Sequence, residues 1–261
     1  MAAGEQISRT YRFALGICTP TVRWWGRLQV EGLEHLPPSG PLIVASNHDS
    51  YWDPVVVGIA GIRRRQIRAL SKSTLWKVKG LNKILDGMGQ IPVVRGTKDI
   101  DALERAMSEL RAGSCVGIFV EGTRSLGRPL RARSGIGRLA AAVPEAKIVL
   151  AAVSGTTDIA RLGRRPRLKV TFFEPTGGQM RPGEDPVDLA VRALAELRSH
   201  APIAVAGRKR AKALADAPAP PPPGPTQQDP AAPAPPPPPP GPGPTEQDPA
   251  PVIPPAGRAE G

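Results

Sequence analysis

Pro41-Leu42-Ile43-Val44-Ala45-Ser46-Asn47-His48-Asp49-Ser50-Tyr51-Trp52-Asp53-Pro54 changes character within a few residues. Leu42 to Ala45 form a short uninterrupted apolar run, the pattern of a buried strand. Ser46 and Asn47 end it, and His48 follows at once. Asp53 stands five positions later, directly before a proline. A histidine at a strand exit with a carboxylate close by is suited to general-base chemistry. The imidazole exchanges its proton near neutral pH, and the carboxylate can fix its tautomer and stabilise the cation. Asp53 has a second reading: with Pro54 at the first helical position, it would be the N-cap of the helix that follows.

Working outward, short apolar runs alternate with helical patterns. Strands are expected at 67–70, 89–96, 116–120, 147–153 and 168–174, and a short one near Leu28. Helices are expected from Pro54, over 73–85 with Gly80 as a weak point, and over 99–112, 134–143 and 185–199. That alternation predicts an α/β fold with a mixed, mostly parallel sheet flanked by helices. In such sheets ligands gather beyond the carboxyl ends of the strands. Asn47-His48, Arg95, the segment Glu121 to Arg124, and Ser154 to Thr156 all follow apolar strand runs.

The 261 residues carry a net charge of +12 and only 4% aromatic residues. The charge implies a polyanionic partner, and the scarcity of rings disfavours nucleic acid. Residues 1–27 interleave Tyr11, Phe13, Ile17, Trp24 and Trp25 with Arg9, Arg12, Arg23 and Arg27. They read as a membrane-associating segment, or as a helix packed on the core with solvated arginines; Pro20 would break it in two. Cys18 and Cys115 form no paired motif and read as reduced thiols; no metal site is visible. There is no run of 18 apolar residues and no cleavable leader pattern. The folded domain is expected over 28–206. Residues 207–261 are rich in Pro, Ala and Gly, with Gly224 to Ala231 recurring as Gly243 to Ala250. They read as a disordered tail, serving as a spacer or as a ligand for a proline-reading partner.

Taken in order, these motifs resemble the 1-acylglycerol-3-phosphate O-acyltransferase family of glycerolipid acyltransferases. Asn47, His48 and Asp53 match its Asn-His-x4-Asp motif; Gly89, Ile91, Pro92, Val93 and Arg95 match the second motif. Phe119, Glu121, Gly122, Thr123, Arg124 and Ser125 match the third, and residues 149–156 match the weaker fourth. Two departures stand out: Val120 replaces the usual proline, and Ala151-Ala152 replaces a Val-Pro type sequence.

The resemblance implies a glycerol-phosphate acyltransferase-like fold and transfer of a fatty acyl group from a thioester to a lysophospholipid hydroxyl, giving phosphatidate. His48 is then the general base and Asp53 its partner. Arg95, Glu121, Gly122, Thr123 and Arg124 are expected around the acceptor's phosphate and glycerol, with Glu121 holding either an arginine or a glycerol hydroxyl. Backbone N–H groups near the fourth motif or the His48 loop are candidates for the oxyanion site. No bound cofactor is implied; acyl-CoA or acyl carrier protein supplies the thioester. The expected setting is the cytoplasmic face of an anionic phospholipid membrane, peripheral or monotopic. Two alternatives stand beside this reading: a different lysophospholipid or glycolipid acceptor, and a non-catalytic membrane scaffold built around the tail.

Overall fold

A computed structural model describes residues 6–94, 99–159 and 165–204. The C-terminal tail and Arg95 lie outside the described residues. In chain order the elements are α1 (Arg9–Thr19), a π-helical turn (Pro20–Trp25), β1 (Gln29–Glu31), β2 (Leu42–Ser46), α2 (Asp53–Gly61), β3 (Ile67–Lys72), α3 (Leu81–Gly87), β4 (Ile91–Val93), α4 (Asp99–Arg111), β5 (Cys115–Phe119), α5 (Gly135–Ala142), β6 (Lys147–Ser154), β7 (Lys169–Phe173) and α6 (Pro186–His200). The seven strands lie in the order β1-β7-β6-β2-β5-β3-β4. Every neighbouring pair is parallel except β6 and β7. The sheet is therefore mixed and mostly parallel, as expected.

The central strand β2 is buried along its whole length, which is why its sequence is apolar without alternation. Successive side chains still point to opposite faces. Ile43 and Ala45 join Val116, Ile148 and Leu150 beneath α4, α5 and α6, which contribute Leu110, Leu139, Leu189 and Leu197. Leu42 and Val44 join Cys115, Val149 and Val153 on the other face, under α1 and α2, with Tyr11, Leu15, Val56 and Ile59. Val120, Ala151 and Ala152 are all buried in these two layers. Both departures from the family pattern are thus substitutions within the core.

Three local expectations are corrected. Residues 73–85 do not form one helix. A 3-10 turn, Ser73–Lys77, precedes α3, and Gly80 separates them at φ +84°, a conformation that favours glycine. Pro20 does not break the N-terminal segment; its fixed φ suits the first position of the π-helical turn that continues α1. Asp53 does not cap α2: it lies inside the helix, Trp52 precedes it, and no side chain caps that end. The N-terminal segment is built into the domain. Ser8 caps α1 and donates to Gly87 O, and the Tyr11 hydroxyl accepts from Ile67 N. Its outward face leaves Phe13, Ile17 and Trp24 largely exposed.

Candidate active site

Strand register brings the motifs together. Ser46 on β2 lies between Phe119 on β5 and Ala151 on β6. All three strands run in the same direction, so His48 and Glu121, two positions further on, leave the sheet at one level, beside Val153, where β6 is still paired with β7. Asn47 secures the exit of β2. Its side chain donates to Val153 O at 2.9 Å and accepts from Val153 N at 2.8 Å, replacing one step of the backbone ladder.

His48 Nδ1 lies 2.9 Å from Asp53 Oδ2. The same oxygen accepts from the backbone N–H of Asp49 at 2.6 Å and of Ser50 at 2.7 Å, while Asp53 Oδ1 accepts from the Thr156 hydroxyl at 2.5 Å. Asp53 is 1% exposed, so these donors stabilise a carboxylate shielded from water. An ionised Asp53 favours a proton on Nδ1 and leaves Nε2 as the free lone pair of the neutral ring. Phe119 stacks on the imidazole with ring centroids 4.2 Å apart. Thr156, singled out in sequence only as the end of the fourth motif, is thus a partner of Asp53.

The third motif holds the histidine by its backbone. His48 N–H donates to Glu121 Oε2 at 2.8 Å, and His48 O accepts from Ser125 N at 2.8 Å. Glu121 is 2% exposed and faces Arg198 of α6, whose Nη2 lies 2.6 and 2.7 Å from its two oxygens. Of the two roles open to Glu121 in sequence, the geometry has it holding an arginine. The same guanidinium reaches both oxygens of Asp49 at 2.9 Å, and the Ser125 hydroxyl donates to Asp49 Oδ1. Sequence reasoning missed Asp49 and Arg198. Asp49 is hidden among the four variable positions of its motif, and Arg198 looks like any solvated helical arginine.

Gly122 adopts φ +66°, and a Cβ there would come within 3.1 Å of Arg133 Cγ. Thr123 is exposed beside it, and Arg124 packs its guanidinium 3.5 Å from the centre of the Tyr51 ring. Tyr51 belongs to two openings. One is an apolar cavity of about 420 Å³ bounded by α1, α2, α3 and the sheet, with Val44, Ala69 and Leu85 inside and Ser46 and Phe119 towards the histidine. Its rim includes the exposed Ile17, Tyr51, Leu75 and Ile84. The other, of about 250 Å³, is a cleft of mixed lining, with Asp49, Ser50, Arg124 and Thr156 beside Trp52, Leu126 and Ile159. Residues of the histidine loop line both openings: Tyr51 the apolar cavity, and Asp49, Ser50, Tyr51 and Trp52 the cleft. Among the described residues there is no group of three His, Cys, Asp or Glu side chains suited to a metal ion.

A family model described as acyltransferase matches residues 27–156. The 1-acyl-sn-glycerol-3-phosphate acyltransferase of Bacillus subtilis (strain 168) is 27% identical over 166 residues, covering 63% of this chain and 81% of that protein. A chloroplastic enzyme of the same name from Arabidopsis thaliana is 32% identical over 102 residues, covering 38% of this chain and 28% of its own length. The crystal structure of the 1-acyl-sn-glycerophosphate acyltransferase of Thermotoga maritima has the same fold, with a TM-score of 0.52 at 22% identity over 72% of this chain and 81% of that one.

Proposed function

The chain belongs to the acyltransferase family and is an O-acyltransferase, and from that premise we propose that it transfers a fatty acyl group from an acyl thioester to the free hydroxyl of 1-acylglycerol-3-phosphate, giving phosphatidate for phospholipid synthesis. The observation that carries this reading is the His48–Asp53 contact, with Ser46 and Phe119 beside it lining an apolar cavity and Asp49, Ser50 and Thr156 lining an arginine-bearing cleft.

In this mechanism the donor's acyl chain lies in the apolar cavity with its carbonyl beside Phe119. The acceptor lies in the second cleft with its phosphate towards Arg124, whose guanidinium fork can pair with two phosphate oxygens. His48 Nε2 takes the hydroxyl proton as that oxygen attacks the thioester carbon. Asp53 stabilises the resulting imidazolium through Nδ1. The tetrahedral intermediate collapses, the C–S bond breaks, and the departing thiolate takes the proton from Nε2. One ester and one thiol form with no covalent enzyme intermediate. Arg95, which follows β4 in sequence, is assigned to the same phosphate.

The exposed Phe13, Ile17, Trp24, Leu75 and Ile84 and the exposed Arg9, Arg12, Lys77, Lys79 and Lys83 support docking on an anionic membrane surface, which this reading takes to be the cytoplasmic face. No helix among the described residues is long and apolar enough to cross a bilayer. The test is thiol release from acyl-CoA, and separately from acyl carrier protein, with lysophosphatidate as acceptor. Release that depends on the acceptor and is lost in His48→Ala is expected. Equal rates with lysophospholipids lacking the phosphate monoester would overturn the assignment of the acceptor.

A further inference from the structure

We infer that Arg198, near the end of α6, is a positioning residue of the active site: its guanidinium holds Glu121 and Asp49 in the places from which they fix His48. The inference rests on the acyl-transfer reading above only for its kinetic arm.

Arg198 is 149 residues from Asp49 in sequence, and its side chain is 14% exposed. It is no surface ion pair. Its three nitrogens make all the contacts a guanidinium fork allows to two carboxylates: Nε and Nη2 to Glu121, Nη1 and Nη2 to Asp49. Nη1 also donates to Ala201 O at 3.3 Å. Each carboxylate passes the restraint on. Glu121 accepts the His48 N–H, and Asp49 binds the hydroxyl of Ser125, whose N–H donates to His48 O. The peptide of the base is therefore gripped on both sides, and both grips lead to Arg198. The matched family model ends at residue 156, before α6 begins.

The same arrangement sets the charge around the base. Asp49, Asp53 and Glu121 are 7%, 1% and 2% exposed. Arg198 is the cation in direct contact with two of them. Arg124 stacks on Tyr51, and Arg133 runs past Gly122 at the mouth of the same turn. Without Arg198, Asp49 and Glu121, buried on either side of the His48 peptide, would add uncompensated negative charge to that of Asp53 at the ring. That favours the imidazolium, the form that cannot accept the acceptor's proton.

The chain has three histidines, so the ring signals of ¹³C-labelled His48 can be assigned in the full-length protein by their loss in His48→Ala. Titration of those signals needs no turnover. In Arg198→Met the His48 midpoint is expected to move up by about one pH unit; in Glu121→Gln, which keeps an acceptor for the His48 N–H, it moves down. Arg198→Lys keeps the charge and returns the midpoint towards that of the parent. The acid limb of kcat/KM should follow the same order, with kcat in Arg198→Met falling about tenfold or more while KM for donor and acceptor stays within about twofold. Opposite displacements by Arg198→Met and Glu121→Gln support the assignment, since a purely structural role predicts no such signs. Coincident midpoints in all three folded variants, or displacements of the same sign in Arg198→Met and Glu121→Gln, overturn it. If Arg198→Met does not fold, a Glu121→Gln midpoint that matches the parent overturns it and a lowered one supports it. A parent that titrates as described but releases no thiol refutes the acyl-transfer reading and leaves Arg198 decided by the titrations.

Discussion

On one face of the sheet, Ile43, Ile148 and Leu150 disappear under α4, α5 and α6. On the other, Val44 and Ala69 look into a cavity of about 420 Å³ beneath α1, α2 and α3. The strands are the same, and alternate residues serve the two layers. The first layer is covered by helices of 8 to 15 residues whose apolar stripes fill it. The second is covered in part by the 7-residue α3 and the short 3-10 turn, joined through Gly80, and these leave space between them. The filled face holds the fold and carries α6, hence Arg198, to the site. The hollow face leaves the room that the proposed mechanism gives to the acyl chain, and its packing is correspondingly incomplete.

The sharpest break in the comparison lies where the two faces meet. His48→Ala should lower kcat by about 10²–10⁴-fold with the circular-dichroism spectrum and melting temperature close to those of the parent. On the filled face, Leu139→Ala should destabilise by about 2–5 kcal/mol in urea titrations, with the kcat of the folded fraction little changed. On the hollow face the pattern should invert. Ala69→Leu should change stability by about 1 kcal/mol or less, yet disfavour the longest acyl donors about tenfold relative to shorter ones, because roughly two methylenes lose their contacts. If Ala69→Leu unfolds the protein, or leaves the chain-length profile untouched, the hollow face is ordinary core.

The smallest effect concerns the outer side of α6. Arg192 binds Glu184 through Nε at 2.6 Å and Nη2 at 3.0 Å, and with a backbone donation from Arg181 N this holds the Glu184 carboxyl at about 2 against a usual 4.5. The folded-state value is the lower one, so the unfolded chain takes up the proton first. The contribution is complete above pH 4.5 and is lost as pH falls towards about 2. Glu184→Gln should flatten that part of the stability–pH curve, read as urea midpoints. No effect on the pH profile of turnover is expected, in contrast to the Arg198 pair six residues along the same helix.

Much of this was legible in the sequence. Uninterrupted apolar runs marked β2, β5 and β6, and the polar residues after β2 and β5 proved to be neighbours because these two parallel strands, paired in register, end at one level. Gly80 was visible as a weak point, but its positive φ, which splits the segment, depends on where α3 must pack. Asp53 had two readings in sequence, partner of His48 or N-cap before Pro54, and only the folded loop decides between them, with its oxygens turned to His48, Asp49 N, Ser50 N and Thr156. Arg198 was further out of reach, since nothing local distinguishes a helical arginine that finds two buried carboxylates from one that finds water.

Asn47 bonds both the N–H and the carbonyl of Val153, and so extends the β2–β6 ladder by one step with a side chain. Where the chain leaves the sheet is therefore counted in whole residues from the strand register. The loop beyond can change composition, but its origin cannot drift by a fraction of a residue. A single-residue insertion or deletion between Leu42 and Asn47 would turn the following side chain to the opposite face. Point substitution in β2 should consequently be far better tolerated than any change in its length, and a library that varies both would recover active members only among those that keep the count.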